Sequence, residues 1–369
     1  MNVGVLGGGQ LGRMLALAGV PLGARFRFLE HRSPAPVDGL GEVVRAPYDD
    51  ADALARFRDG LEVGTYEFEN VPDASARALA DAEIPVYPPP AALEFARDRK
   101  HEKDGFGALG IPTAPWRAVD DRASFDAAVE QLGLPAVLKT RRLGYDGKGQ
   151  RLLRSPADLD AAWAALGDRP LVLEGFVEFS RELSIVGVRG RDGETAFYPL
   201  VENTHASGVL VRTDAPAPGC SPELQRTAER YAGAVMRYLD YVGVLALELF
   251  QVGDELWANE MAPRVHNSGH WTQNGAVTSQ FENHMRAVMG LPLGSTEPVG
   301  HSVMLNLLGA LPPAEAVLAE PMAHLHLYDK APRPGRKIGH VNVCGPDREA
   351  VRDAARRIDR TFPDGAGPA

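Results

Sequence analysis

Apolar residues 3–6 form a short run that stops at Gly7-Gly8-Gly9-Gln10-Leu11-Gly12, and residues 13–18 then have helical composition. This predicts strand, tight turn and helix. Gly7, Gly9 and Gly12 fit the G-x-G-x-x-G spacing, which lets backbone amides at a helix N-terminus meet an anion. A second predicted strand, residues 25–29, ends in Glu30, where a dinucleotide-binding fold carries its ribose-binding acid. A third, residues 61–66, runs into Glu67 and Glu69. Those acids stand either at the ligand-binding edge of an open α/β sheet or simply at a helix start, where acids are favoured. Tyr87 and the prolines at 88–90 then stiffen the chain and close a first domain.

Residues 93–109 have the pattern of one helix carrying Arg99, Lys100 and Lys103, whose basic face is expected to be solvated. Residues 136–139 predict a buried strand ending in Lys139, followed by the cationic, glycine-rich loop TRRLGYDGKGQ at 140–150. No GK[ST] opens a helix there, so a strand lysine with a downstream glycine loop suits a lid over a triphosphate. Residues 171–177 predict an apolar strand and residues 181–186 an alternating one, while residues 198–209 predict a polar loop holding His205. Amphipathic helices are expected over residues 225–239 and 347–362.

Residues 244–252 and 255–260 predict a β-hairpin about Gly253-Asp254. A two-residue turn sets Glu248 opposite Asn259, and Glu260 joins them only if the strand ends or bulges there. Two acids and an amide offer oxygen donors suited to Mg²⁺. The alternative is a hairpin with solvated acids, but the apolar neighbours of Glu248 predict a buried strand. Arg264, His266, Asn267, Ser268 and His270 follow in a donor-rich loop, and Lys330, Arg333, Arg336 and Lys337 surround a Pro/Gly turn. The first pattern points to an anion or substrate, and the second to a phosphate clamp or, alternatively, a solvated basic turn.

Composition narrows this further. The 369 residues suffice for two or three domains, and 44% hydrophobic with 24% charged residues is ordinary for a globular chain. A net charge of −10 argues against nonspecific binding to nucleic acid or anionic membrane, so clustered Lys and Arg are informative. The two cysteines, Cys220 and Cys344, have no metal-site spacing. With no basic-then-apolar leader and no membrane-length apolar run, a cytoplasmic protein is expected.

The motifs GGGQLGRM, TYEFENVP, KTRRLGYDGKGQ, LEGFVEFSRELS, ENTH, ELF with ANEMAPRVHNSGH, and YDK with RPGRKIGH occur in that order along essentially the whole chain. This order resembles the 5-(carboxyamino)imidazole ribonucleotide synthetase family, ATP-grasp enzymes of purine biosynthesis. The resemblance implies a mixed α/β and α+β chain with a Rossmann-like pre-ATP-grasp domain at 1–94. An ATP-grasp domain at 95–295, with its lid subdomain at about 115–177, and a small C-terminal domain at 296–369 follow.

The resemblance also implies roles. Arg99 and Lys139 would contact ATP phosphates, with Gly144, Tyr145, Asp146, Gly147, Lys148, Gly149 and Gln150 as lid. Glu174, Gly175, Phe176 and Val177 would meet adenine, Glu182 the ribose, and His205 would lie beside the nucleotide. Glu248 and Glu260, with Asn259, would hold Mg²⁺, Asn259 and Glu260 also bordering ATP. The substrate, 5-aminoimidazole ribonucleotide, would contact Gly9, Gln10, Leu11, Glu69, Tyr145, Lys148, Arg264, Lys330, Arg336 and Lys337. The glycine turn is thereby reassigned from a dinucleotide to this substrate, through its phosphate.

Asp146, Arg264, His266 and Lys330 would serve the chemistry, Arg264 and His266 facing bicarbonate, and the amine would be carboxylated by way of carboxyphosphate. A homodimer is implied, with no nucleic-acid or membrane partner. One departure is Lys148, where the family often has Arg, because an ammonium cannot form a bidentate fork. Two other readings are a sister ATP-grasp ligase, such as a formate-dependent ribonucleotide transformylase, and a nucleotide-binding module without catalysis. The joint presence of Lys139, Glu248, Asn259 and Glu260 argues against the second.

Overall fold

The computed structural model describes residues 1–144 and 149–362, which build three sheets. In the first, β1 (Asn2–Leu6), β2 (Arg25–Leu29), β3 (Glu42–Val44) and β4 (Val63–Tyr66) lie parallel in the order β3-β2-β1-β4. β1 and β4 are apolar runs without alternation because helices cover both faces of the sheet. Helix Gln10–Gly19 packs one face through Leu11 and Leu15, and Leu54, Phe57 and Leu79 pack the other.

The second sheet is antiparallel: β5 (Trp116–Val119), β6 (Ala136–Thr140), β7 (Gln150–Leu153) and β8 (Leu171–Gly175), ordered β5-β8-β6-β7. The third contains β9 (Arg181–Arg189), β10 (Thr195–Phe197), β11 (Val201–Ala206), β12 (Val209–Ala215), β13 (Gly243–Val252), β14 (Glu255–Ala262), β15 (His301–Leu308), β16 (Ala323–Leu327) and β17 (Lys337–Gly345). Its order is β14-β13-β9-β11-β12-β15-β17-β16, with β10 on β9. The β12–β15 pairing joins the C-terminal strands to the central ones, so one continuous surface reaches from the β13–β14 hairpin to the β16–β17 connection.

Two expectations are corrected. Residues 93–109 form two helices, Pro90–Arg97 and Arg99–Ala108, because Asp98 between them is extended. Its side chain caps the second helix by accepting from Lys100 N, and it also holds the guanidinium groups of Arg141 and Arg142. Residues 198–209 are largely sheet, since β11 and β12 pair with each other and with β9 and β15, supplying partners for polar segments that in isolation resemble a loop.

His284 ties the first sheet to the third. Its Nδ1 accepts from Val244 N at 3.1 Å, which leaves Nε2 to donate to Thr65 Oγ1 at 2.9 Å. Burial pushes its pKa down to about 3, so the link is that of a neutral imidazole. Among the described residues, no helix is long and apolar enough to cross a membrane.

Candidate active site

A cavity of about 810 Å³ opens where the three sheets meet. One wall is a face of the third sheet. Alternation along β13 buries Leu247 and Leu249 on one side and turns Glu248 and Phe250 toward the cavity on the other. Glu182 of β9 stands beside them, directly opposite Phe250. His205 lies in strand β11, at a register shift, with Nδ1 2.9 Å from Glu182 Oε2. Burial alone would lower the His205 pKa, but Glu182 raises it above the ordinary value.

The β13–β14 hairpin resolves the question of register. Val252 pairs with Glu255 across Gly253-Asp254, yet Glu248 pairs with Glu260 while Leu249 pairs with Ala258. Asn259 is therefore the extra residue of a β-bulge, and the bulge brings all three oxygen donors to the cavity. Glu248 Oε1 lies 3.1 Å from His266 Nε2. Burial tends to raise the Glu248 pKa, but His266 and then His205 hold it down at about 2. Glu260 Oε2 accepts from Arg99 at 2.9 Å. The buried Oδ1 of Asn259 has no hydrogen-bond partner among the described residues. Two carboxylates with an unsatisfied amide oxygen fit a hard cation that completes its shell with water and phosphate. No group of three His, Cys, Asp or Glu suited to a metal occurs among the described residues.

The facing wall is the second sheet. On β6, Ala136, Leu138 and Thr140 are buried beneath it, so Val137 and Lys139 line the cavity, with Gly144 and Gln150 at its edge. Lys139 Nζ donates to Glu174 Oε2 at 2.9 Å, and Lys103 Nζ lies 3.1 Å from Glu174 Oε1. The expected solvated face of residues 93–109 is thus corrected in part: Arg99 and Lys103 are drawn inward by Glu260 and Glu174, while Lys100 pairs with Asp104 at the surface. Glu174 turns its carboxylate to these lysines, and Phe176 is exposed. Phe179 and Phe250, stacked with centroids 4.6 Å apart, supply the apolar surface nearby. Gly149 closes the loop at its base, its carbonyl accepting from Thr140 N at 2.8 Å. Tyr145, Asp146, Gly147 and Lys148 lie outside the described residues.

The third wall is the C-terminal edge of the first sheet. Gly9 N and Gly12 N do meet an anion, but it is Glu67 of this chain, with Gly12 N to Oε2 at 2.8 Å. A Cβ on Gly9 would come within 2.5 Å of Glu67 Oε1, and Gly7 has φ +107° against the same side chain, so the glycines make room for this carboxylate. Gly8 N donates to Glu30 Oε2 at 2.9 Å, and Glu30 is further held by Arg32 in a fork at 2.9 and 2.7 Å. Neither the turn's amides at Gly8, Gly9 and Gly12 nor Glu30 is left for a dinucleotide. Gln10 and Leu11 do line the cavity, and Gln10 Oε1 accepts from Lys330 Nζ at 2.9 Å. Burial, then Arg336, lowers the Lys330 pKa to about 8. Lys337 lines the cavity, while Arg336 donates to Ala331 O at the turn.

Between these walls, Arg264 Nε donates to Glu69 Oε2 at 2.7 Å, joining the first sheet's edge to the polar loop. Burial opposes the Arg264 charge, but Glu69 raises its pKa and is itself held below its ordinary range by Arg264. His266 is oriented by Ser268 Oγ, 2.9 Å from Nδ1. His270, predicted in the same donor set, lines the cavity as well, packed against His340 and Tyr328, and burial keeps it neutral.

Sequence reasoning missed His31, Arg32 and Tyr48, which line the cavity, and Glu102 and Lys103 behind it. The position of His31 and Arg32 just after β2 was the available signal, since that edge of an open sheet gathers ligands.

Comparison with known proteins supplies independent findings. A ribonucleotide synthetase preATP-grasp domain model matches residues 1–97, an ATP-grasp domain model residues 105–281, and a phosphoribosylaminoimidazole carboxylase C-terminal domain model residues 302–354. The N5-carboxyaminoimidazole ribonucleotide synthase of Pseudomonas aeruginosa is 55% identical over 359 residues, covering 97% of this chain and 99% of that protein. The crystal structure of the corresponding synthetase from Thermus thermophilus has a TM-score of 0.94 at 55% identity, over 98% of each chain. The Aspergillus clavatus synthase in complex with ADP and 5-aminoimidazole ribonucleotide has a TM-score of 0.89 at 32% identity, over 97% of this chain and 98% of that one.

Proposed function

The chain belongs to the N5-carboxyaminoimidazole ribonucleotide synthase family of ATP-grasp ligases, and from that premise we propose how its own residues divide the work. ATP enters between the second and third sheets. Arg99 and Lys139 take its phosphates, Glu182 and His205 its ribose, and Phe179 with Phe250 flank the base. The observation that carries this assignment is that Arg99 and Lys139 both line one cavity, each held by a carboxylate, Glu260 on the third sheet and Glu174 on the second.

Mg²⁺ would be held by Glu248, Glu260 and Asn259, supplying positive charge beside the transferring phosphoryl group. A bicarbonate oxygen attacks the γ-phosphorus, the bond to ADP breaks, and carboxyphosphate forms. Arg264, already fixed by Glu69, holds that anion, and His266 borders it. Carboxyphosphate then breaks to CO₂ and phosphate. The exocyclic amine of 5-aminoimidazole ribonucleotide attacks the CO₂ carbon and loses a proton, for which Asp146 is the candidate acceptor. Enclosure by the loop through Gly144 and Gln150 keeps water from the intermediate.

In support of the substrate end, Gln10 and Lys337 line one side of the cavity, Lys330 stands against Gln10, and Arg336 lies on the same turn, so an amide and cations gather there. Because Glu67 already fills the glycine turn, the substrate phosphate is assigned to these side chains. Two unpaired cysteines suit a reducing cytoplasm, and a homodimer is what the family resemblance implies.

Two tests follow. With bicarbonate carrying ¹⁸O at all positions, one labelled oxygen should appear in the inorganic phosphate released. Unlabelled phosphate at full coupling would mean that water, not bicarbonate, attacks. The second test uses pH. Lys330 is an ammonium below about pH 8 and loses its charge above it, whereas a phosphate dianion raises its pKa on binding. Affinity for the ribonucleotide is therefore fullest below that value and falls as pH rises through it. The KM for the ribonucleotide should climb between pH 7.5 and about 9, and K330A should be uniformly weak while sparing ATP. A flat profile in the intact enzyme would remove Lys330 from the phosphate site.

A further inference from the structure

Glu174 is a buried carboxylate with an ammonium on each oxygen, an arrangement the reaction as described does not use. Lys139 stands at Oε2 and Lys103 at Oε1, 2.9 and 3.1 Å away. The two lysines differ in reach. Lys139 lines the cavity from β6, whereas the Lys103 side chain is 1% exposed and lies on helix Arg99–Ala108 behind the site. Lys103 follows Arg99 by four residues, so both project from the same face of that helix, one to Glu260 and the other to Glu174.

A single lysine on Glu174 would create a conflict. When Lys139 turns to a triphosphate, the carboxylate it leaves would be buried without a counter-ion, and that penalty would be charged against nucleotide binding. We propose that Lys103 is a positioning residue for ATP, the resident counter-ion of Glu174 that lets Lys139 leave the carboxylate and reach the phosphates.

The electrostatics agree with the geometry. Burial acts to raise the Glu174 pKa, yet Lys139 and then Lys103 hold it at about 2, so the carboxylate is charged with both lysines beside it. The Lys103 pKa is lowered, chiefly by burial, with Glu174 acting against the burial and Lys139 adding to it. The inference rests on the reading of Lys139 as a phosphate ligand.

The test compares the KM for ATP and kcat in wild-type, K103M, K103R, E174Q and K103M/E174Q chains, with K139A alongside. In K103M, Lys139 is the nearest remaining partner of Glu174, and the KM for ATP should rise on the order of tenfold with a smaller change in kcat. K103R should restore it to within about threefold, because an arginine keeps the charge. In the E174Q background, where the Glu174 carboxylate is gone and Lys139 leaves no charge behind, adding K103M should change the KM for ATP by less than about threefold.

A merely structural lysine would instead harm both backgrounds alike. Equal losses in the two backgrounds, or a folded K103M enzyme with unchanged KM for ATP, would overturn the inference. If K103M does not fold, the comparison within E174Q still decides, since neither of its members contains the carboxylate. K139A separates the two levels. A K139A enzyme with unchanged kcat and KM for ATP would overturn the phosphate reading itself, whereas a defective K139A beside indifference to Lys103 would overturn only this inference.

Discussion

Replacing Glu260 by Gln is expected to lower ADP formation on the order of a thousandfold while leaving the fold intact. Glutamine has the same shape, so the β13–β14 pairing and its bulge can persist, but the charge is lost where two functions need it. Glu260 is one of three oxygen donors that the bulge brings together, and it holds Arg99 at 2.9 Å. Arg99 keeps Glu102 nearby as an electrostatic partner, so the melting temperature should move by only a few degrees. The check is ADP release at saturating Mg²⁺ together with thermal unfolding. Near-normal turnover by a folded E260Q chain would remove Glu260 from the metal site.

Replacing Arg264 by Ala should cost on the order of a hundred- to a thousandfold in kcat, with a lesser effect on the KM for ATP. Its guanidinium is fixed by Glu69 at 2.7 Å and lines the cavity between the third sheet and the C-terminal edge of the first. A fixed donor aimed at an anion is most effective where charge develops, so the loss should fall on turnover. R264K should recover only part of it, because an ammonium keeps the charge without the planar fork. Steady-state rates at saturating ATP and bicarbonate measure this directly. A loss confined to the KM for ATP would place Arg264 in the nucleotide site instead.

The three sheets differed in how plainly the sequence announced them. β1, β2, β6, β8, β9 and the β13–β14 hairpin were legible because their apolar runs or alternation match burial on one or two faces. β11 and β12 were not, since Glu202, Asn203, Thr204 and His205 look like loop until β9 and β12 supply ladder partners. The break at Asp98 was hidden although Asp is a favoured cap, because the arginines that also hold its carboxylate, Arg141 and Arg142, lie more than forty residues away in sequence.

The site shows the same division. Glu248, Asn259 and Glu260 could be named from the hairpin, but the bulge that aligns them is a pairing property that single-strand periodicity does not contain. The glycine turn reads in sequence as a place for a ligand's phosphate, and the carboxyl group its amides meet was not legible because Glu67 arrives from the end of another strand, fifty-five residues beyond Gly12. Lys103 looked like a surface lysine for the same reason: its partner Glu174 lies on β8.

The central claim is that this cavity couples ATP cleavage to carboxylation of a ribonucleotide amine. ADP release should be measured in bicarbonate buffer with Mg²⁺ and ATP, with and without 5-aminoimidazole ribonucleotide, while the carboxylated product is followed in parallel. The account predicts ADP release that depends strongly on the ribonucleotide and matches formation of a labile carboxylated product one for one. Steady ADP release indifferent to the ribonucleotide, or none under any of these conditions, would contradict it.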